Sequence, residues 1–234
     1  MMIDINFSSK ILSNNIRLFV MTWEIYGFKY NGSKYDFSPI TQLLVEQITQ
    51  KYTLDTIKSH PIIRTLRQFY WQKLHIDPTK IRPSSEALVR RVLRKHSLPT
   101  ISPFVDAYNW ASAYSFIPMG AYDLEHIIPP LELRLSVEGE SFTPIGKAKT
   151  ILPNKTLVLV DSEQKIISQF PYRDSQLTKI TPHSQSLILI ACGVENIPQK
   201  QLISALAKTK EYLNWFAQQG LLQYKDGGFN FFKS

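Results

Sequence analysis

A helix predicted over residues 103–116 carries two polar side chains on an otherwise apolar face. Val105, Asn109, Ser112 and Phe116 follow one another at spacings of four, three and four residues, which places them on one helical face. A buried amide or hydroxyl that lacks a hydrogen-bond partner costs on the order of 1 to 3 kcal/mol. Asn109 and Ser112 are therefore either bonded within the fold or directed at a ligand, and the residues alone favour bonding within the fold.

Several common kinds of chemistry lack the residues that they need. The five histidines do not pair at metal-ligand spacing, and the one cysteine, Cys192, sits in the apolar run 186–194, so no metal site is indicated. The sequence has no phosphate-binding glycine loop, no GxSxG elbow and no dinucleotide fingerprint. Metal catalysis, nucleotide hydrolysis, the common esterases and nicotinamide chemistry all lose support, and no cofactor is expected.

The positive charge of the chain is concentrated in one segment. The 234 residues carry a net charge of +8, and residues 51–100 alone hold eleven Lys or Arg against three acidic residues. Residues 101–145 net −5 and residues 146–234 net +5. A basic segment beside an acidic one suits an anionic partner held at one place, such as nucleic acid. A solvated helical face that serves only solubility is the open alternative.

The helix predicted after Pro83 is the sharpest candidate for phosphate contacts. Ser84 is its predicted N-cap, and Glu86 brings negative charge to the first turn, where the helix dipole favours it. Apolar residues cover one arc of this helix, and four cations share the remaining arc: Arg90, Arg91, Arg94 and Lys95. We predict that these four side chains contact RNA.

The order of the elements predicts an α+β fold in one domain, a β-sheet body of short strands packed by helices. Residues 1–81 are predicted to contain a strand over 16–30 and helices from 39 onward, with Pro61 splitting the second helical stretch. Residues 82–197 hold the core, with short strands from 131 to 193, and residues 198–234 hold a C-terminal helix that ends at Gly220. A helical cap on a β body is the alternative architecture.

The location of the protein is predicted from what its sequence lacks. The first twenty residues have no basic start, unbroken apolar stretch and cleavage site of a signal peptide. A membrane span needs about 20 nearly continuous apolar residues, and the longest run is about half that. A single cysteine in an apolar run is typical of a reducing compartment. We expect a cytoplasmic protein without a membrane segment.

Five segments, in order along residues 82–181, form a recognisable pattern. They are RPSSEAL at 82–88, VDAYN at 105–109, PMGAYDLEHI at 118–127, LRLSVEGESFTPIG at 133–146 and YRDSQLTKIT at 172–181. This pattern resembles the editing (B3/B4) domain of the β subunit of phenylalanyl-tRNA synthetase, in the form found as free-standing single-domain proteins. The resemblance implies a β body packed by helices and an activity on aminoacyl-tRNA.

The chemistry that the resemblance implies is ester hydrolysis. In the synthetase this domain hydrolyses the ester of tyrosine wrongly attached to the phenylalanine tRNA. Such a site needs a pocket for the amino acid, groups that hold the terminal adenosine, a placed water and donors for the developing oxyanion. It needs no cofactor.

The resemblance assigns roles to individual positions. Asn109 matches the asparagine of the family's Val-Asp-x-x-Asn segment, with Tyr108 beside it where the bacterial synthetase usually has threonine. Gly120 falls where the bacterial synthetase has a histidine before its Ala-Phe-Asp, and residues 121–123 match that segment in character. The synthetase histidine is therefore missing, and the synthetase glutamate on a late strand has no match in the apolar run.

Two groups of site residues follow from this assignment. The predicted catalytic residues position a water together with backbone groups, and they are Asn109, Gly120 and Asp123. The predicted substrate-binding residues are Arg82, Ser84, Ser85, Glu86, Tyr108, Ser112, Ala121, Tyr122, Arg173 and Asp174.

The resemblance and the basic helix together predict a trans-acting aminoacyl-tRNA deacylase with aminoacylated tRNA as its partner. Two alternatives stay open. The missing histidine and glutamate favour a tRNA- or RNA-binding module without chemistry. A small-molecule amidase or esterase on the same fold would ignore RNA.

Overall fold

The structure is a computed structural model that describes residues 3–234. The helices in this range are α1 (Ser9–Ser13), α2 (Ser38–Lys51), α3 (Pro61–Gln72), α4 (Ser84–Lys95), α5 (Pro103–Ser115) and α6 (Gln199–Gln218). The strands are β1 (Ile5–Phe7), β2 (Leu18–Tyr30), β3 (Met119–Asp123), β4 (Leu131–Leu135), β5 (Ser141–Phe142), β6 (Thr150–Ile151), β7 (Leu157–Val160), β8 (Ile166–Gln169), β9 (Arg173–Asp174), β10 (Leu187–Val194) and β11 (Leu222–Lys233). The fold is α+β, as predicted.

Two sheets form the body of the molecule. One has the strand order β1-β4-β7-β8-β9, antiparallel except for the parallel pair of β1 with β4. The other has the order β11-β2-β10-β3 and is antiparallel throughout. Strands β5 and β6 form a separate small ribbon. Strand β3 therefore lies at the edge of its sheet, where it comes close to β9 at the edge of the other.

Strand β10 is the centre of the core. All eight of its residues are buried, which agrees with a continuous apolar run covered on both faces. Helix α6 packs against one face, and Gly193 allows this because a Cβ there would lie 2.9 Å from Leu202 Cδ1. Helix α3 packs against the same strand, with Tyr70 from α3 near Cys192. Cys192 and Gly193 are neighbours in a strand, so α3 and α6 cover opposite faces.

Helix α4 begins at Ser84, one residue earlier than the sequence predicts. Its N-cap is Pro83, with no side-chain capping bond, and Ser84 is the first helical residue. The prediction of Ser84 as N-cap is wrong because the fixed φ of proline, here −50°, already sets the chain direction into the helix. Among residues 3–234, no helix combines the length and the apolar character that a membrane span requires.

Several predicted elements are confirmed, and two strands were missed. The strand over 16–30 is β2, Pro61 does start a new helix, and the helix near Pro198 is α6. Strands β3 and β11 were not predicted. The division of 198–234 as a C-terminal helix is thus incomplete, because β11 follows the helix and pairs along the length of β2.

Candidate functional site

A cleft of about 400 Å³ opens between α5 and the edge strand β3. Helix α5 contributes Tyr108 and Asn109, strand β3 contributes Ala121, and Ile145 and the segment 179–182 complete the wall. The cleft is within the size range of pockets that bind small molecules or parts of larger ones. The structure thus brings together three residues that the sequence predicted for the site.

Asn109 faces the cleft, whereas Ser112 is bonded within the fold. The Asn109 side chain lines the cleft, and its amide makes no hydrogen bond to any residue in the described range 3–234. Ser112 is buried, and its hydroxyl donates to the Ile117 carbonyl oxygen at 2.6 Å. Asn109 is free to bind a ligand, whereas the predicted substrate contact of Ser112 is replaced by a bond that ties down the end of α5.

The other face of β3 holds a much smaller pocket. Successive side chains of a strand point to opposite faces, so Gly120 and Tyr122 turn away from the cleft that Ala121 lines. The pocket has a volume of about 20 Å³ and is also lined by Ser84 and Asp174. A volume of this size holds about one water molecule when polar partners are present.

A part-buried hydrogen bond occupies the space in front of Gly120. The Tyr122 hydroxyl donates to Asp174 Oδ1 at 2.8 Å. A Cβ at Gly120 would lie 2.5 Å from the Tyr122 hydroxyl oxygen and 2.9 Å from Asp174 Oδ1. A histidine at position 120 cannot coexist with this pair, because both partners stand where its side chain would begin. A histidine at this position would therefore require the Tyr122–Asp174 pair to separate.

Asp174 is the titratable group at the centre of this region. Burial raises its pKa to about 6, and the hydrogen bond from Tyr122 acts in the opposite direction. Burial and the charge of Asp174 in turn raise the pKa of Tyr108, which lines the larger cleft. The Asp174 carbonyl oxygen accepts from the Ile145 N–H at 3.0 Å, and Ile145 lines the larger cleft as well. Asp174 is therefore joined to the cleft wall through its backbone, while its side chain lines the small pocket on the other face of β3.

Glu86 anchors the start of α4 in a buried charge cluster. Its side chain is fully buried, with Arg90 Nε at 2.8 Å and Arg67 Nη1 at 3.0 Å from Oε1. Arg82 Nε lies 3.9 Å away and has no hydrogen-bond partner in residues 3–234. The hydroxyl of Ser85 is also buried there without a partner. Of the four predicted residues at 82–86, only Ser84 lines the small pocket.

The basic face of α4 is smaller than the sequence indicated. The Arg90 side chain is only 14% exposed, because it turns inward to pair with Glu86 four residues earlier. Arg91, Arg94 and Lys95 are exposed. The prediction that all four cations project together is wrong for Arg90, and three remain available to a phosphate.

Asp123 and Arg173 are engaged elsewhere. Asp123 is 2% exposed, accepts from the Glu125 N–H at 3.0 Å and from the Ser184 hydroxyl, and lines neither pocket. It caps the short turn at 124–126, which explains the residue without a catalytic role. The guanidinium of Arg173 lies 4.7 Å from the centre of the Tyr172 ring, so it stacks beside the small pocket instead of lining it.

The residues Lys179, Ile180 and Thr181 line the cleft but were not predicted as site residues. The signal was present, since they end the segment YRDSQLTKIT that carries the resemblance. Lys179 forms no ion pair with any residue of the described chain, so its ammonium group is available to an anionic ligand. Within residues 3–234, no group of three His, Cys, Asp or Glu side chains is placed to hold a metal ion.

Comparison with known proteins identifies the domain. Residues 66–211 match the B3/4 domain. The phenylalanine–tRNA ligase β subunit of Yersinia pestis is 29% identical over 86 residues, which cover 37% of this chain and 11% of that protein. A crystal structure of an N-terminal fragment of the phenylalanyl-tRNA synthetase β subunit from Pyrococcus horikoshii aligns with a TM-score of 0.48 and 14% identity, over 96% of this chain and 50% of the fragment. The chain thus spans only part of either relative. Because the family match covers more than half of its residues, the chain belongs to the B3/4 domain family.

Proposed function

We propose that this protein is a trans-acting aminoacyl-tRNA deacylase, which hydrolyses the ester of a mischarged tRNA. Membership of the B3/4 family supports a module related to tRNA synthetases that edits or binds. The observation that favours hydrolysis is a pair of pockets on the two faces of the edge strand β3: a cleft with an unpartnered amide, and a water-sized pocket lined by the Asp174 carboxylate. The cytoplasmic location expected from the sequence stays a prediction.

The larger cleft would hold the aminoacyl end of the tRNA. The Asn109 amide both donates and accepts hydrogen bonds, so it can hold the amino group or the carbonyl oxygen of the amino acid. The Lys179 ammonium can bind a terminal phosphate or stabilise negative charge that develops on the ester. Ile145 and Ile180 supply the apolar part of the wall.

Asp174 would activate the water, and the ester would reach past the edge strand β3 to the small pocket that holds this water. A pKa of about 6 leaves the carboxylate largely ionised at neutral pH and close to the value that favours proton transfer. The water oxygen attacks the ester carbonyl carbon, its proton passes to Asp174, and the bond from that carbon to the ribose oxygen breaks. The ribose oxygen takes the proton, which yields a free amino acid and an uncharged tRNA. The Tyr122 hydroxyl orients the carboxylate throughout.

The test is release of labelled amino acid from a panel of correctly and incorrectly charged tRNAs. We expect turnover on a mischarged species, with loss of release in Asn109→Ala and Asp174→Asn. Because ionised Asp174 is the base, the rate should rise with pH through about pH 6. Leu43→Ala is the control, since this residue is 63% exposed and lines neither pocket.

The outcome that would overturn this proposal is RNA binding without release from any charged tRNA. That result would make the protein a binding module. Release from small aminoacyl esters that did not depend on RNA would instead indicate a small-molecule esterase.

A further inference from the structure

Helix α3 presents an exposed tryptophan on its polar face. Ile63, Leu66 and Tyr70 are buried at helical spacing and attach the helix to the core. Trp71 lies outside that stripe and is 62% exposed. A side chain with this much apolar area normally lies in a core or an interface, so its exposure calls for a partner.

The surroundings of Trp71 are cationic and polar. A depression of about 280 Å³ surrounds the indole, and we call it the α3 surface; it is lined by Lys58, Arg64, Arg67, Gln68, Trp71 and Gln72. Arg64, Gln68 and Trp71 follow one another by four and three residues and so share one face of the helix. No acidic side chain lines the depression.

Two of these cations have no counter-charge. Lys58 and Arg64 are exposed and form no ion pair or side-chain hydrogen bond with any residue from 3 to 234. Arg67 differs, because its guanidinium donates to Glu86 and to the Pro78 carbonyl oxygen. The bond from Arg67 to Glu86 links α3 to α4 and so fixes the position of the helix that carries the exposed side chains.

We propose that the α3 surface binds a single-stranded stretch of RNA, with one base stacked on Trp71 and Lys58 and Arg64 on the neighbouring phosphates. Stacking on an aromatic ring combined with cations that follow the backbone is how proteins hold single strands without reading their sequence. The amides of Gln68 and Gln72 can bond the base edges. The identification of tRNA as the source of that strand rests on the proposed function. The binding of single-stranded RNA to the α3 surface does not depend on it.

The composition of the depression favours nucleic acid over a protein partner. Protein interfaces surround a tryptophan anchor with further apolar side chains. Here the neighbours of Trp71 are three cations and two amides. They belong to the segment 51–100, which carries a net charge of +8. A polyanion with exposed bases matches both features.

Binding of a short oligouridylate and of uncharged tRNA, measured over a range of salt concentrations, tests this inference. Trp71→Ala should weaken binding of both about tenfold or more, and Trp71→Phe should restore part of the loss because it keeps an aromatic face. Arg64→Ala should lower the slope of log affinity against log salt by about 0.7, the value for one phosphate contact on a single strand. Leu43→Ala and Lys200→Ala are the matched controls, because both residues are exposed and lie outside the α3 surface.

Fluorescence gives a second readout. Trp23 and Trp110 are buried and Trp215 is half-buried, whereas Trp71 is 62% exposed. A base that stacks on Trp71 should therefore quench tryptophan emission, and this quenching should be lost in Trp71→Ala. Binding by Trp71→Ala with the affinity and salt slope of the wild type would overturn the inference, and so would failure of the wild type to bind either RNA. If binding depends on Trp71 but no amino acid is released, the proposed function fails alone. If release occurs and Trp71→Ala binds normally, only this inference fails.

Discussion

Replacing Gly120 with alanine should destabilise the protein by an amount that depends on residue 122. The new Cβ would lie 2.5 Å from the Tyr122 hydroxyl oxygen, where ordinary contacts begin at 3.4 Å. The φ of Gly120 lies outside the left-handed region, so the backbone tolerates alanine and the cost comes from this contact and from a second one, 2.9 Å to Asp174 Oδ1. Overpacking of a buried site by one methyl group costs about 1 to 3 kcal/mol.

Removing the Tyr122 hydroxyl should relieve that cost. Tyr122→Phe alone loses a part-buried 2.8 Å bond to a carboxylate and should cost about 1 to 3 kcal/mol. In the double variant the nearest ring carbon is 3.2 Å from the new Cβ, and Asp174, released from Tyr122, can turn away. The destabilisation of the double variant should therefore be about 1 to 2 kcal/mol smaller than the sum for the two single variants.

The assay is urea unfolding of the wild type, both single variants and the double variant. Equal slopes against urea would show that the variants expose the same surface on unfolding. Free energies that add within about 0.5 kcal/mol would refute the reasoning, because independent sites behave in that way. The steric conflict between a side chain at position 120 and the Tyr122–Asp174 pair would then be ruled out.

Three further predictions concern individual polar groups. Glu86→Gln should lower the free energy of unfolding by about 3 kcal/mol, because it leaves Arg67 and Arg90 without their shared carboxylate. Glu211→Gln on the surface is the control and should cost less than about 1 kcal/mol. Urea unfolding measures both costs, and equal costs would contradict a stabilising role of the Glu86 charge cluster. Burial raises the folded pKa of Asp174 from 3.8 to about 6, so the folded state binds the extra proton, and the free energy of unfolding should fall as pH rises between these values. This part of the slope should vanish in Asp174→Asn, and an unchanged slope would show that Asp174 titrates normally. Asn109→Ala should change stability by less than about 0.5 kcal/mol, because the amide bonds nothing in residues 3–234, and a larger loss in thermal unfolding would mean that Asn109 supports the fold.

The elements with clear hydrophobic patterns were predictable from the sequence. Strand β10 is a short apolar run, and α5 shows helical spacing, so both were found near their true bounds. Strand β3 was missed because Pro118, Gly120 and Asp123 are typical of turns, and its conformation comes from pairing with β10. Strand β11 was missed for a similar reason, since Gly227 and Gly228 interrupt it where its register on β2 shifts.

The site residues were predictable only where they lie in a sequence segment that is recognisable by itself. Asn109 and Ala121 were found through the segments that resemble a known family, and both line the cleft. The bond from Tyr122 to Asp174 joins residues 52 positions apart, and spacing says nothing about such a contact. The inward turn of Arg90 could have been predicted, because an opposite charge four residues earlier on a helix commonly pairs with it. The exposure of Trp71 could not have been predicted, because an apolar residue in a helix is expected in the core.

The most direct test of the central claim is the time course of amino-acid release from a mischarged tRNA, with tRNA binding measured on the same samples. The account predicts release by the wild type, and loss of release with normal binding in Asp174→Asn and Asn109→Ala. Release at the wild-type rate by Asp174→Asn would contradict it, because the carboxylate proposed as the base would then take no part in the reaction.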